Sequence, residues 1–165
     1  MPSVLAPPAE RLDTLPPGLP DLTLGFGLAR WAENLLIQPN GPRAGKPFRF
    51  TPRQLRFLAW WYAVDENGRW LFNHATRRLS KGSGKSPFAG VFGLGEFCGP
   101  VRLLDFDKRF PGGCVGKPVD MPLVQIAATA ESQTANTMRM VRAFANKDSE
   151  IVRAYQLDPG KTRYY

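Results

Sequence analysis

An incomplete α/β domain, with a parallel sheet at its core and helices ahead of it, is the fold class that the sequence predicts. Three observations carry that expectation. Arg69 to Arg78 alternates apolar and polar residues and runs directly into the glycine-rich stretch Leu79-Ser80-Lys81-Gly82-Ser83-Gly84-Lys85-Ser86. An apolar segment with helical spacing follows, from Lys85 to Phe97. Pro122 to Ala128 is then a nearly continuous apolar run, the pattern of a strand covered on both faces in a parallel sheet. Strand, loop, helix, connection, strand and helix in that order build a β-α-β unit.

Taken in order, residues 1–20 hold six prolines, a density that forbids helix and predicts an extended, mobile arm. Residues 21–165 form the folded part. Leu24, Leu28, Trp31 and Leu35 recur at helical spacing, and this helix is expected to end near Gln38, before Pro39 and the Asn40-Gly41 turn. Thr51 and Pro52 open the next helix as a capping hydroxyl and a proline at the first helical position. Leu55, Leu58, Trp61 and Tyr62 would make its buried face. Asn67-Gly68 turns the chain into the strand at 69–78, in which Trp70, Phe72, His74 and Thr76 share one side. In the helix from Lys85, Phe88, Val91, Phe92 and Leu94 are apolar, and Gly99-Pro100 stops it. Gly90, Gly93 and Gly95 each weaken that helix by roughly 1 kcal/mol relative to alanine, so close packing on a sheet is expected to hold it. Val101 to Pro118 reads as turn-rich. Beyond the apolar run come a helix from Ser132 to Asn146 and a short basic segment, Ile151 to Tyr155.

At 165 residues the chain is one domain's worth of sequence, and its sixteen prolines and sixteen glycines predict long irregular connections. A formal net charge of +8 suits a polyanionic partner such as double-stranded DNA. Cys98 and Cys114 have no His or Cys at ligand spacing, which argues against zinc and for a reduced pair. No apolar run approaches the length of a membrane span, and the first residues lack a leader pattern, so a soluble protein of the cytoplasm is expected.

Gly82-Ser83-Gly84-Lys85-Ser86 carries the strongest chemical signal. Between a strand and a helix, its consecutive N–H groups can wrap the phosphates of a nucleotide such as ATP. Gly82 and Gly84 allow the tight turn, Lys85 would reach the β- and γ-phosphates, and the Ser86 hydroxyl would take one position on Mg²⁺. The common phosphate-loop pattern has a further glycine where Leu79 stands, so the opening bend must be made differently here. Arg77, Arg78 and Lys81 add positive charge just ahead of the loop, either touching phosphate or lying solvated. His74 reads as packing rather than catalysis.

Lys81-Gly82-Ser83-Gly84-Lys85-Ser86-Pro87 after a basic strand end resembles the variant Walker A motif of phage terminase large subunits. Phe50-Thr51-Pro52-Arg53-Gln54 resembles that family's adenine-recognising element, and Gln125 to Met138 resembles the strand and helix that follow. The likeness spans about residues 21–165. It implies a P-loop ATPase of the additional-strand type, joined in the family to a nuclease domain and docked on a portal protein. It further implies a small terminase subunit as partner, a homo-oligomeric ring, and packaging of double-stranded DNA. By carry-over, Gln54 would contact adenine, Lys81 to Lys85 the phosphates with Lys85 catalytic, and Ser86 the Mg²⁺ ion. Thr51-x-x-Gln54 is equally a capping box, and both roles stand open for Gln54. For Thr129 to Gln133 the alternatives are a plain helix start and a segment that couples ATP state to DNA.

ATP hydrolysis also needs a strand-end Asp for Mg²⁺ and a neighbouring carboxylate. Four apolar residues followed by Asp-Glu do not occur after the glycine loop. Val101 to Asp107 is the nearest candidate, but Arg102 interrupts it and it falls where the family has a loop. The sequence is therefore expected to be the amino-terminal part of such an ATPase domain, lacking Walker B and nuclease portions, and to bind ATP without turning it over alone. A non-enzymatic basic module that binds DNA or the packaging complex is the alternative, and a small P-loop kinase fits less well because the acidic strand end is missing.

Overall fold

Apolar residues at helical spacing, started and stopped by the expected caps, build most of the structure. The computed structural model describes residues 18–160. The proline-rich arm lies outside these apart from its last three residues. Helix α1 spans Gly25–Leu35 and buries Leu28, Trp31 and Ala32. Thr23 fastens its start: the hydroxyl accepts from Gly25 N at 3.0 Å and donates to Ala59 O at 2.7 Å. Helix α1 ends earlier than Gln38 because Leu36 turns extended. Phe48 N then donates to Leu36 O and Gln38 N to Lys46 O, both at 2.8 Å, closing a small hairpin-like loop.

Helix α2, Pro52–Trp61, packs on α1. Leu58 and Tyr62 are buried as expected, whereas Leu55 and Trp61 are only partly covered. Trp60 Nε1 donates to Gly18 O at 3.2 Å and Pro20 is buried, so residues 18–20 lie against this helix. Helix α3, Lys85–Cys98, runs through the core and buries Phe88, Val91, Leu94 and Cys98. Its glycines serve neighbouring helices rather than a sheet. A Cβ on Gly95 would stand 2.7 Å from Leu28 of α1, and one on Gly90 would stand 3.0 Å from the Met140 Cβ. Met140 belongs to α4, Glu131–Phe144, which packs along α3 and buries Val141 and Phe144. Helix α5, Glu150–Tyr155, closes the core with Ile151 and Val152, and its Tyr155 hydroxyl accepts from Trp31 Nε1 at 2.8 Å.

Two strands complete the described residues. Strands β1, Arg102–Phe106, and β2, Cys114–Lys117, pair antiparallel with Arg102 opposite Lys117 and Phe106 opposite Cys114, and the register slips between Leu103 and Asp105. The expected turn-rich stretch is thus a hairpin, and α5 replaces the expected basic segment.

The fold class requires a correction. Among the described residues there are five helices and one two-stranded antiparallel sheet, with no parallel sheet core, and this does not fit a P-loop ATPase domain of the additional-strand type. A strand exists only when a neighbour pairs its N–H and C=O groups. The segment at 69–78 pairs through a single bridge, Val64 with Trp70, and through Leu71 N to Ala63 O at 3.1 Å. Residues 122–128 form no ladder, and Leu123 is 83% exposed, so the apolar run is not covered on both faces. The hairpin forms because its strands are joined by a short connection, whereas a parallel pair needs a long crossover.

Candidate functional site

The amino-terminal ends of α2 and α3 converge. Thr51 and Gln54 form a complete capping box: Gln54 N donates to Thr51 Oγ1 at 3.3 Å, and Thr51 N donates to Gln54 Oε1 at 2.8 Å. Two of the helix's otherwise unpaired donors are satisfied this way. Gln54 is buried, and its amide nitrogen faces the glycine loop, 3.7 Å from where a Cβ on Gly84 would stand. Two residues thirty positions apart in sequence therefore meet.

Gly84 caps α3 with φ at +75°, and Gly82 has φ at +80°, left-handed conformations that cost about 1–2 kcal/mol for a residue with a Cβ. Ser83 Oγ donates to Ser80 O at 2.8 Å. Lys85 folds back, its ammonium donating to Ser80 O at 2.6 Å and Leu79 O at 3.0 Å. At Leu79, where the common pattern has glycine, the opening bend is thus tied by the loop's own lysine. Ser86 occupies the second helical position, partly covered, and Pro87 brings no N–H to the third. Phe88 N is used by Gly84 O at 3.1 Å. Lys81, Gly82 and Ser83 are exposed, and a Cβ on Gly82 would meet nothing within 4 Å, so the outer side of the loop is open. Backbone N–H groups, a helix amino terminus and an ammonium group together suit an oxyanion.

Of the two alternatives for Arg77, plain solvation does not hold. Its guanidinium lies over the rings of Phe88, at 4.0 Å from the centroid, and Phe57, at 4.8 Å, and burial lowers its pKa. Nothing in the local pattern of 69–78 signals this contact, because both rings come from other elements. Arg78 is exposed. His74 is exposed too, its Nδ1 standing 2.8 Å from Asn73 Oδ1, and it is not the packing residue that was expected.

A second polar cluster also escaped the sequence reading. The Tyr62 hydroxyl donates to Glu96 Oε1 at 2.7 Å, and Arg102 donates to Glu96 Oε2 at 3.3 Å. Burial, reinforced by the Glu96 charge, pushes the Tyr62 phenol far above its ordinary range. A cavity of about 210 Å³ opens beside Glu96 and Arg102, walled by Val119 and Pro122 to Gln125. It shares no residue with the glycine loop, whose donors, not this cavity, match a phosphate.

The weak carboxylate candidates are otherwise engaged. Asp105 lies exposed on β1 and accepts from Phe106 N at 2.8 Å. Asp107 accepts from Arg109 at 2.7 to 3.0 Å, and that guanidinium holds its carboxyl below the usual carboxylate range. Glu131 sits in the first turn of α4, the favourable end of the helix dipole. Cys98 and Cys114 are buried free thiols, pushed up to about 12 and about 11 by burial. No group of three His, Cys, Asp or Glu that could hold a metal occurs among the described residues. No helix among them is long and apolar enough to cross a membrane.

Comparison with known proteins adds an origin. No family model matches the chain, and no solved structure matches it. It is similar to the Gene 13 protein of Mycobacterium phage D29, 32% identical over 164 residues that cover 88% of this chain and 27% of that protein. The Gene 13 protein of Mycobacterium phage L5 is likewise 32% identical over 165 residues, covering 89% of this chain and 27% of the relative. This chain spans only about a quarter of the length of these curated relatives, and their source gives it a phage origin.

Proposed function

We propose that this chain is the ATP-gripping segment of a phage DNA-packaging motor of the terminase large-subunit kind. The observation that carries this reading is the meeting of the Gln54 amide with Gly84 at the start of α3, on a loop whose lysine and left-handed glycines suit a triphosphate. Lys85 would exchange the Leu79 and Ser80 carbonyls for the β- and γ-phosphates, with N–H groups of residues 82–86 around them. The Ser86 hydroxyl would hold Mg²⁺. Gln54 uses its oxygen on Thr51 N, leaving its amide nitrogen for the adenine edge. The net charge of +8 agrees with a partner that is nucleic acid.

Translocation of double-stranded DNA, a portal protein, a small terminase subunit and a ring of copies belong, in this proposal, to the complete motor. Hydrolysis would depend on carboxylates from further polypeptide, since Asp107 is tied to Arg109 and Asp105 lies on an exposed strand. Titrating a fluorescent ATP analogue against wild type and Lys85→Ala tests the reading. Loss of one charge-assisted contact should weaken binding by about ten-fold or more. Equal affinities would sink it. Polyanion binding that falls steeply with salt and ignores Lys85→Ala would instead support a basic DNA-binding module.

A further inference from the structure

Arg77 is the most covered residue from Leu71 to Arg78, half-buried where its neighbours are exposed. Its guanidinium carbon sits 4.0 Å above the Phe88 ring and 4.8 Å above the Phe57 ring, and the two rings meet edge to face at 5.6 Å. Phe57 follows Gln54 by three positions on α2, and Phe88 follows Gly84 by four at the start of α3. Three and four positions are one helical turn, so each ring lies on the same helix face as its neighbour in the candidate site. The cation is therefore seated one turn from both the amide and the loop. A guanidinium is planar and weakly hydrated, and it stacks on π-systems through both faces. Here the guanidinium carbon lies over both rings, while the residue stays partly exposed.

We propose that the outer face of Arg77 is the stacking platform for the base of the nucleotide held by Gln54 and the 79–86 loop, which makes Arg77 a specificity-determining residue. This rests on the ATP-binding reading above. Phe57 and Phe88 hold the guanidinium plane in place, Gln54 meets the edge of the base, and the loop meets the phosphates. Lysine cannot substitute, because an ammonium group has no face on which a base can lie. The platform also accounts for a charged side chain turned inward from an exposed segment when water is available to it.

Calorimetric titration with Mg²⁺-ATP and with inorganic tripolyphosphate separates the base from the phosphates. Wild type, Arg77→Lys, Arg77→Met and Lys85→Ala are compared, each checked for native circular dichroism. Arg77→Lys keeps a cation over the rings and decides the question if Arg77→Met fails to fold. Loss of one stacked base should weaken ATP binding by about ten-fold in both Arg77 variants and leave tripolyphosphate binding unchanged. Lys85→Ala should weaken both ligands. An equal loss on tripolyphosphate would make Arg77 a phosphate contact, tighter ATP binding would make it an occupant of the base's place, and unchanged ATP binding would make it surface; each overturns the proposal. If Lys85→Ala loses ATP while the Arg77 variants do not, the platform alone fails. If wild type binds neither ligand, the ATP-binding reading fails and the platform with it.

Discussion

Residues 85–97 and residues 122–128 are both apolar stretches that the sequence assigns to the interior, and they meet opposite fates. Helix α3 is clamped from two sides, Leu28 lying against Gly95 and Met140 against Gly90. In the second stretch Leu123 is 83% exposed, and Met121 just ahead of it is 90% exposed. A helix pairs its own backbone and asks its neighbours only for side-chain contacts, which α1 and α4 supply. An extended segment leaves its backbone groups to be paired by another strand, and among the described residues none lies alongside 122–128. The contrast teaches that apolar sequence buys burial only where the backbone's hydrogen bonds are settled as well.

Breaking the clamped side should cost most. Leu28 is fully buried, and Leu28→Ala should lower unfolding free energy by about 2–5 kcal/mol in urea denaturation, with the spread set by how far the cavity collapses. Alkaline pH should come next. Cys98 rises from an ordinary 9.0 to about 12 in the folded chain, so between those values the unfolded state releases its proton first. Stability should therefore be full below about pH 9 and fall as pH rises towards 12. Tyr62, raised by burial, acts in the same direction above its ordinary value of 10.0. Urea midpoints at about pH 8 and about pH 11 should fall less in Cys98→Ala than in wild type.

A smaller effect belongs to the cap that shapes the candidate site. Thr51→Ala removes the hydroxyl that accepts from Gln54 N and should cost about 1 kcal/mol. On the open side, Leu123→Ser should change stability by less than about 0.5 kcal/mol. A large loss at Leu123 would erase the contrast between the two regions.

Much of the clamped region was legible because its signals are local. Thr51-Pro52 opens α2, Gly99-Pro100 closes α3, and Leu24, Leu28 and Trp31 mark the buried face of α1. The hairpin was not, since Val101 to Pro118 reads as turn-rich and Arg102 interrupts the apolar pattern of its first strand. The parallel sheet is expected from alternation at 69–78 and the apolar run at 122–128, and such patterns cannot say whether a neighbouring strand exists. At the candidate site the loop and the capping box were readable from spacing. Arg77 on Phe57 and Phe88, and Tyr62 with Glu96 and Arg102, join residues from separate elements and left no local trace.

Amide hydrogen exchange with and without Mg²⁺-ATP tests the central claim, that the loop on this helical scaffold grips a triphosphate, most directly. Without nucleotide, the buried parts of α1 and α3 should exchange slowly and residues 119–129 fast. Adding Mg²⁺-ATP should slow exchange at residues 80–88 and at the start of α2 around Gln54, leaving 119–129 unchanged. Unaltered exchange at 80–88 under saturating nucleotide would contradict the account.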